Sequence, residues 1–157
     1  MAVRHQVSTS RTVAADRRAI FDVLADPAMH SVIDGSGTVQ GVQDGGPERL
    51  AEGARFGMNM KMGTPYRILN TVVEFEEGER IAWRHWHGHI WRYELRDVDG
   101  GTEVTETFDW SRARSKLTIK LMGHPKRNLR GMRATLERLD RFMTSGEVGD
   151  PTTSDRG

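Results

Sequence analysis

The stretch that decides the fold runs from Arg80 to Trp110 and reads RIAWRHWHGHIWRYELRDVDGGTEVTETFDW. In three segments of it, apolar or aromatic residues alternate with polar ones, and turn signals at Gly88 and at Asp99-Gly100-Gly101 separate the segments. Such alternation is typical of half-buried β-strands. Links this short join antiparallel neighbours, because a parallel crossover needs about a dozen residues or more. The stretch therefore predicts a three-stranded antiparallel meander.

The preceding sequence extends this sheet. Ala54 to Met62 and Tyr66 to Glu76 also have the composition of strands, and Val3 to Val13 is predicted to be a first strand. Gly41 to Gly53 is rich in glycine and charge, so we expect an exposed connection there. The sequence thus predicts a sheet of about six or seven antiparallel strands.

Three segments carry helix signals. Asp16 can cap a helix that begins at Arg17 and ends near Asp26, and Pro27 to Ile33 can form a second short helix. A long final helix with one apolar face is predicted from Pro125 to about Met143, since proline suits the first turn of a helix. That helix is the largest apolar partner available to the sheet, so we expect an α+β fold in which the sheet curves around it.

Composition narrows the classes of function. The chain has 157 residues, with 23 Lys and Arg against 22 Asp and Glu, and no cysteine. The near balance of charge removes the electrostatic drive for nucleic-acid binding, and the lack of cysteine excludes disulfides, thiol nucleophiles and thiolate metal sites. No apolar run has the length of a bilayer span or a signal peptide, so we expect a soluble, cytoplasmic protein. We predict one domain over residues 1–145 and a disordered tail over 146–157.

Four short motifs lie on the predicted elements. They are Ile20–Pro27 (IFDVLADP), Ile33–Gly37 (IDGSG) with His30 before it, Arg80–Arg84 (RIAWR) and Gly101–Asp109 (GTEVTETFD). Together with the order of elements, they resemble the helix-grip fold of the START-like, or SRPBCC, superfamily. This superfamily includes bacterial polyketide cyclases and dehydratases, lipid-transfer domains and plant allergen-type binding proteins. The resemblance implies two short helices after the first strand and a cup for an apolar ligand, but it does not fix an activity.

Period two along the predicted strands separates an inward face from an outward face. Apolar and aromatic bulk identifies the inward set as Ile81, Trp83, His85, His87, Trp91, Tyr93, Leu95, Val104, Glu106, Phe108 and Trp110. The inner wall is then aromatic, and it also holds two histidines, a phenol and a carboxylate.

Glu106 is unusual for a plain core, because burying a carboxylate without a partner is costly and raises its pKa. One hypothesis pairs Glu106 with His85 or His87 as general acid and base on a polyketide-like carbonyl. Tyr93 would hydrogen-bond an oxygen of the same molecule. The alternative is that Glu106 pairs internally with Arg133 or Tyr93, or turns outward at a bulge. We favour the alternative, since one carboxylate in a strand is a weak indication of catalysis.

A further set of residues is predicted to contact the ligand. Met58 and Met60 alternate on one strand, and methionine adapts to several apolar shapes. The terminal helix contributes its apolar face, while Arg133 on that helix points either to the sheet or to water. The predicted ligand-binding set is His30, Met58, Met60, Trp83, Trp91, Phe108, Trp110, Leu129, Met132, Arg133 and Leu136.

His85, His87 and His89 form a His-x-His-x-His run, and alternate histidines on one strand face can bind a metal such as zinc. Gly88 lies where the hairpin must reverse, which breaks the common direction of the three side chains. We therefore predict no metal site and no cofactor.

The leading hypothesis is that the chain binds a small hydrophobic or aromatic molecule, polyketide-, lipid- or isoprenoid-like, in an internal cavity. Catalysis as a polyketide cyclase, aromatase or dehydratase stays open. The alternatives are a non-enzymatic lipid carrier and an interaction module similar to the Hsp90 activator family, which would need a filled interior and an exposed apolar patch. We expect no nucleic-acid partner and no integral membrane association, and a homodimer stays open.

Overall fold

Seven strands form one antiparallel sheet in the computed structural model, which describes residues 5–117 and 124–145. Strands β2 to β7 follow chain order across the sheet, and β1 joins it by pairing with β7. In spatial order the strands are β1 (Gln6–Val13), β7 (Gly101–Asp109), β6 (Ile90–Val98), β5 (Arg80–His85), β4 (Thr64–Glu76), β3 (Arg55–Met62) and β2 (Val39–Val42).

The α-helices with described bounds are α1 (Arg17–Leu24), α2 (His30–Ile33) and α3 (His124–Ser145). The Asp16 carboxylate accepts hydrogen bonds from two backbone N–H groups of the first turn of α1, which stabilises the start of that helix. Pro27 then opens a short 3-10 turn that leads into α2. The predicted helix-grip fold is confirmed, with two short helices after β1 and one long helix against a curved sheet.

The connection predicted to be exposed at Gly41–Gly53 is in part structured, so that prediction is wrong there. Val39–Val42 forms β2 against β3. Leu50 is fully buried, and its backbone N–H donates to the Ala25 carbonyl at 2.7 Å. The glycine and charge of this segment concealed β2, because a four-residue strand is too short to show alternation.

The single long helix covers only part of the concave face. It packs on β1, β7 and α2, towards one edge of the sheet. An α-helix with its side chains is about 10 Å wide, whereas seven strands set about 4.8 Å apart span about 29 Å. A space therefore remains between α3 and the strands on the other side of the sheet.

Two apolar clusters bound that space. The larger one joins α1, the sheet and the carboxyl-terminal half of α3, and it includes Trp83, Tyr93 and Leu136. The smaller one contains Phe108, Trp110, Ala113 and Met132.

In the described ranges, no helix combines the length and the apolar character that crossing a lipid bilayer requires. The tail predicted to be disordered, 146–157, lies outside the described residues.

Candidate functional site

A cavity of about 450 Å³ lies between the concave face of the sheet and the amino-terminal half of α3. Cavities of this size are typical of sites for small molecules. Most of its wall is apolar or aromatic. The apolar and aromatic side chains of the wall include Leu24, Ile33, Val39, Met60, Met62, Ile68, Trp83, Trp91 and Met132.

Aromatic rings form the inner end of the cavity. The His30 ring stacks on Trp83 with centroids 4.7 Å apart, and Trp83 lies 5.7 Å from the Tyr93 ring. Burial lowers the pKa of His30, although its Nε2 lies 2.9 Å from the Leu24 carbonyl oxygen. His30 is therefore a neutral part of the wall at physiological pH.

Glu106 and Tyr93 lie opposite each other on β7 and β6, so both side chains point to the cavity. Glu106 is 3% exposed and Tyr93 is 5% exposed. The Tyr93 phenol lies beside the Glu106 carboxyl group and acts on its pKa as a hydrogen-bonding neighbour. The Oε2 atom of Glu106 has no hydrogen-bond partner among the described residues. Oε2 is therefore a buried oxygen that the described residues leave unpaired.

Burial raises the pKa of Glu106 to about 8, and the Asp34 carboxylate acts in the same direction while the Tyr93 hydrogen bond opposes it. The pKa of the Tyr93 phenol is raised well above its usual value, chiefly by burial. Both groups therefore carry their protons at neutral pH. A protonated carboxyl group can donate a hydrogen bond or a proton to a bound molecule.

Asn70 adds a second unpaired polar atom. Its side chain lines the cavity and is 2% exposed, and its Oδ1 atom has no hydrogen-bond partner within the described ranges. Asn70 was not among the site residues predicted from the sequence. The available signal was period two along β4, which places Asn70 between Ile68 and Val72 on the inward face.

The loop after α2 closes one side of the cavity against α3. The backbone N–H of Gly35 donates to Oγ1 of Thr135 at 2.9 Å. A Cβ atom at Gly35 would overlap the Ala134 backbone, so glycine permits this close approach. Asp34 fixes the loop by accepting from the backbone N–H groups of Ser36 and Val39 at 3.0 and 3.1 Å. The Ile33–Gly37 motif therefore shapes the cavity wall.

Exposed side chains surround the mouth of the cavity. Arg127 and Arg130 on α3 and Met62 on β3 line it and are solvent-exposed. Neither arginine was among the site residues predicted from the sequence.

Five residues of the predicted ligand-binding set line the cavity together with Tyr93 and Glu106. They are His30, Met60, Trp83, Trp91 and Met132. Four other members are buried outside the cavity, and they are Met58, Phe108, Trp110 and Leu136. Phe108 is covered because it contacts both Trp91 and Trp110, with centroids 4.7 and 5.6 Å apart.

Leu129 and Arg133 lie on the other side of α3. They line an outer groove with Lys126 and Glu137, and the Arg133 side chain is exposed. Of the two internal partners considered for Glu106, the structure brings Tyr93 to it and leaves Arg133 in solvent.

The predicted pairing of Glu106 with His85 or His87 is not formed. Strand β5 ends at His85, two residues earlier than predicted, and Gly88 reverses the chain with a φ of 98°. His87 is consequently exposed, and neither histidine lines the cavity. The inward face predicted by period two ends where the strand ends.

The three histidines of the His-x-His-x-His run stack against one another. The ring of His85 lies 4.5 Å from that of His89 and 5.7 Å from that of His87, measured between centroids. Burial, with the nearby His87, lowers the pKa of His85 to about 4. Within the described ranges, no three His, Asp or Glu side chains are arranged to bind a metal ion.

Residues 4–143 match the model of a family described as polyketide cyclase / dehydrase and lipid transport. The chain belongs to this family. The START-like resemblance is thereby confirmed. All the residues that line the cavity lie within the range that matches the family.

Among curated proteins, this family member is 40% identical over 149 residues to "Uncharacterized protein Rv0088" of Mycobacterium tuberculosis strain H37Rv. The match covers 91% of this chain and 66% of the relative, so the chain spans about two thirds of that protein's length.

Solved structures with the same fold share little sequence with this family member. Protein Ms6760 from Mycobacterium smegmatis superposes with a TM-score of 0.70 at 18% identity, covering 91% of this chain and 93% of that one. The AHSA1-like protein from Aeromonas hydrophila superposes with a TM-score of 0.67 at 17% identity, covering 92% and 95%. Likeness at this level of identity shows the fold alone.

Glu106 is expected to make stability fall as the pH rises. Its pKa moves from an ordinary value of 4.5 to about 8 in the folded chain. The stabilising contribution of the proton is fully present below pH 4.5 and is lost as the pH rises to about 8. Between these limits, the free energy of unfolding of the wild type relative to Glu106→Gln should fall by about 1.4 kcal/mol per pH unit. Chemical denaturation across this pH range measures the difference.

The matched control is Glu103→Gln, which lies on the other face of β7, where Glu103 pairs with Arg96 at 2.9 Å. Tyr93 and Asp34 are the titratable groups that act on Glu106, and neither is altered in these variants. A Glu106→Gln variant with the same pH dependence as the wild type would show that Glu106 is ionised at neutral pH.

Proposed function

We propose that this chain binds a small hydrophobic molecule inside the cavity between the sheet and α3. The observation that carries the proposal is the cavity itself, about 450 Å³ in volume, which a single helix leaves unfilled. Its apolar wall would supply most of the affinity, because removing apolar surface from water is the main favourable contribution to such binding. Membership in a family that includes lipid-transport proteins supports the same function.

The ligand would be polyketide-, lipid- or isoprenoid-like. Flat aromatic side chains at Trp83 and Trp91 can stack on rings, while Met60 and Met132 adapt to irregular apolar shapes. This combination fits a carrier or a binding protein for aromatic or isoprenoid compounds.

The interaction-module alternative receives less support. An interaction module similar to the Hsp90 activator family would need a filled interior. The cavity between Trp83 and Met132 is open, so the shape of the site favours a ligand over a protein partner.

One observation favours catalysis as a second candidate function. Glu106 is buried in the cavity wall beside Tyr93 and has a pKa raised to about 8. A carboxyl group with such a pKa can donate a proton to a carbonyl oxygen, and its carboxylate form can accept one from the adjacent carbon. These steps are the proton transfers that a cyclase or dehydratase needs. We propose Glu106 as the acid–base group and Tyr93 as its positioning residue.

Met132→Trp is expected to weaken binding of the neutral naphthalene dye Prodan by about tenfold or more, because the larger ring fills the cavity. The emission of Prodan, excited directly, gives the dissociation constant. Thermal unfolding should show some loss of stability without loss of folding, since Met132 lines the cavity on one side and packs against Phe108 and Trp110 on the other. Leu129→Trp, which adds the same ring to the outer groove, should leave binding unchanged. A destabilised Met132→Trp variant with unaltered Prodan affinity would place the dye elsewhere.

The acid–base hypothesis predicts that the wild type accelerates exchange of the acetyl protons of acetylnaphthalene for deuterium near pH 8. Proton NMR in deuterium oxide follows this exchange. Glu106→Gln should bind acetylnaphthalene and lose the acceleration, whereas Glu103→Gln should keep it. Equal exchange rates with and without the wild-type protein would argue against catalysis and leave the binding function in place.

A further inference from the structure

The hairpin that joins β3 and β4 projects from the sheet. Strand β4 begins at Thr64, whereas β5 pairs with it from Asn70 onwards. Residues 64–69 therefore extend beyond the end of β5 by about 20 Å, given the usual rise of a strand. Every residue from Lys61 to Arg67 is exposed. The turn at Gly63 thus forms the tip of a protruding hairpin.

Two large apolar side chains are exposed at this tip. Met62 is 47% exposed and Tyr66 is 40% exposed. Met60 lies opposite Tyr66 in the hairpin, so period two places Met62 and Tyr66 on the concave side, where Met60 and Met62 line the cavity. Exposed apolar groups rimmed by charge are typical of surfaces that bind a membrane or another protein. The tip therefore has the character of a docking surface.

Four cations surround the two apolar side chains. Lys61 and Arg67 flank them on the hairpin, and Arg127 and Arg130 on α3 line the mouth of the cavity. Burial raises the pKa of Tyr66, and the nearby Arg127 guanidinium acts in the opposite direction, so the helix and the hairpin come together here. We call the four cations and the two apolar side chains the mouth surface.

The charges of the mouth surface are not neutralised by the described residues. Within the described ranges, none of its four cations forms an ion pair with an Asp or Glu side chain. At the opposite end of the sheet, by contrast, Arg17 pairs with Glu79 at 3.3 Å and Arg96 pairs with Glu103 at 2.9 Å. The mouth surface is thus left with positive charge to offer a partner.

The sequence shows the same separation of charge. No Asp or Glu occurs from Gly53 to Val73 or from Trp110 to Leu136, although these two ranges hold eleven of the 23 Lys and Arg. The first range forms the β3–β4 hairpin and the second includes the amino-terminal half of α3. A net charge of only +1 therefore conceals a strongly basic region.

A lipid bilayer fits this surface better than a protein or a nucleic acid does. A fluid headgroup layer admits a convex apolar tip without a matching depression, and tyrosine is favoured at membrane interfaces. Lys and Arg side chains are attracted to anionic lipids. A nucleic acid would contact the cations through its phosphates and would leave Met62 in water.

We propose that the mouth surface docks on an anionic lipid bilayer. Met62 and Tyr66 enter the headgroup layer, and the four cations lie against lipid phosphates. The mouth of the cavity then faces the membrane. This inference goes beyond the proposed binding function, because it rests on exposed side chains and not on what the cavity holds.

Vesicle co-sedimentation tests the electrostatic part. The wild type should bind phosphatidylcholine vesicles that contain about 30% phosphatidylglycerol, and should lose most of this binding in about 0.5 M sodium chloride. Replacing Arg127 and Arg130 together by Gln should weaken binding about 25-fold, since each cation near such a surface contributes about fivefold. The matched control replaces Arg80 and Arg96 by Gln, which removes the same charge at the opposite end of the sheet and should leave most of the binding.

The apolar part is tested by the double variant Met62→Ser, Tyr66→Ser. It should bind the same vesicles about tenfold more weakly, because two partly exposed apolar side chains no longer leave water. Leu69→Ser is the control, since Leu69 is 51% exposed on the other face of β4 and should be dispensable. Thermal unfolding checks that each variant is folded.

Insertion of the tip is measured with a fluorescent label. The chain has no cysteine, so Thr64→Cys supplies a single thiol at the tip for an environment-sensitive nitrobenzoxadiazole dye. Its emission should rise and shift to shorter wavelength when the vesicles are added. The same dye on Asp99→Cys, in the turn between β6 and β7 at the opposite end, should not respond.

Three outcomes would overturn the inference. The first is a wild type that does not bind the anionic vesicles. The second is equal binding by the Arg127, Arg130 double variant and its Arg80, Arg96 control, which would place the contact elsewhere. The third is binding to double-stranded DNA as tight as that to vesicles with no response at the Thr64 label, which would identify a site for polyanions. Each leaves the proposed cavity function standing, because Prodan binding is measured without vesicles.

Discussion

One helix is much narrower than a seven-stranded sheet, and the cavity exists because of this difference in width. Helix α3 packs chiefly on β1 and β7 and so shields the strands near one edge of the sheet more than the others. The loop at Gly35 bends back onto Ala134 and closes the side of the remaining space. The cavity is therefore a consequence of the topology, and the residues on the uncovered strands determine what it can hold.

Those residues combine an apolar wall with a few polar atoms that find no hydrogen-bond partner in the described part of the chain. Ile81 and Val104 fill the packed end of the sheet without polar groups. The cavity end instead keeps Glu106, Tyr93 and Asn70, each nearly inaccessible to water. Stability alone would favour apolar side chains there, since unpaired buried polar atoms are costly. Their presence beside an open cavity is the physical reason to connect this end of the sheet with function.

Much of the fold and part of the site could be predicted from sequence because period two holds along uninterrupted strands. Trp83, Trp91, Tyr93 and Glu106 were assigned to the inward face in this way, and all four line the cavity. The rule fails at His87, since the hairpin reverses after β5 and turns that side chain to solvent. Helical periodicity cannot tell which part of an apolar helix face meets a cavity and which meets a core, so Leu136 and Leu129 were grouped with Met132. Asn70 was missed because a lone polar residue in a strand resembles an outward position.

Direct contacts between an apolar molecule and the cavity wall are the most direct measure of the binding function. Methyl-labelled protein mixed with ethylnaphthalene should show intermolecular nuclear Overhauser effects to Met60, Met132 and Ile68, which line the cavity. The methyl groups of Ile81, fully buried in the core, should show none. Contacts confined to Leu129 on the outer groove, or none at all in the cavity, would contradict a ligand site between the sheet and α3.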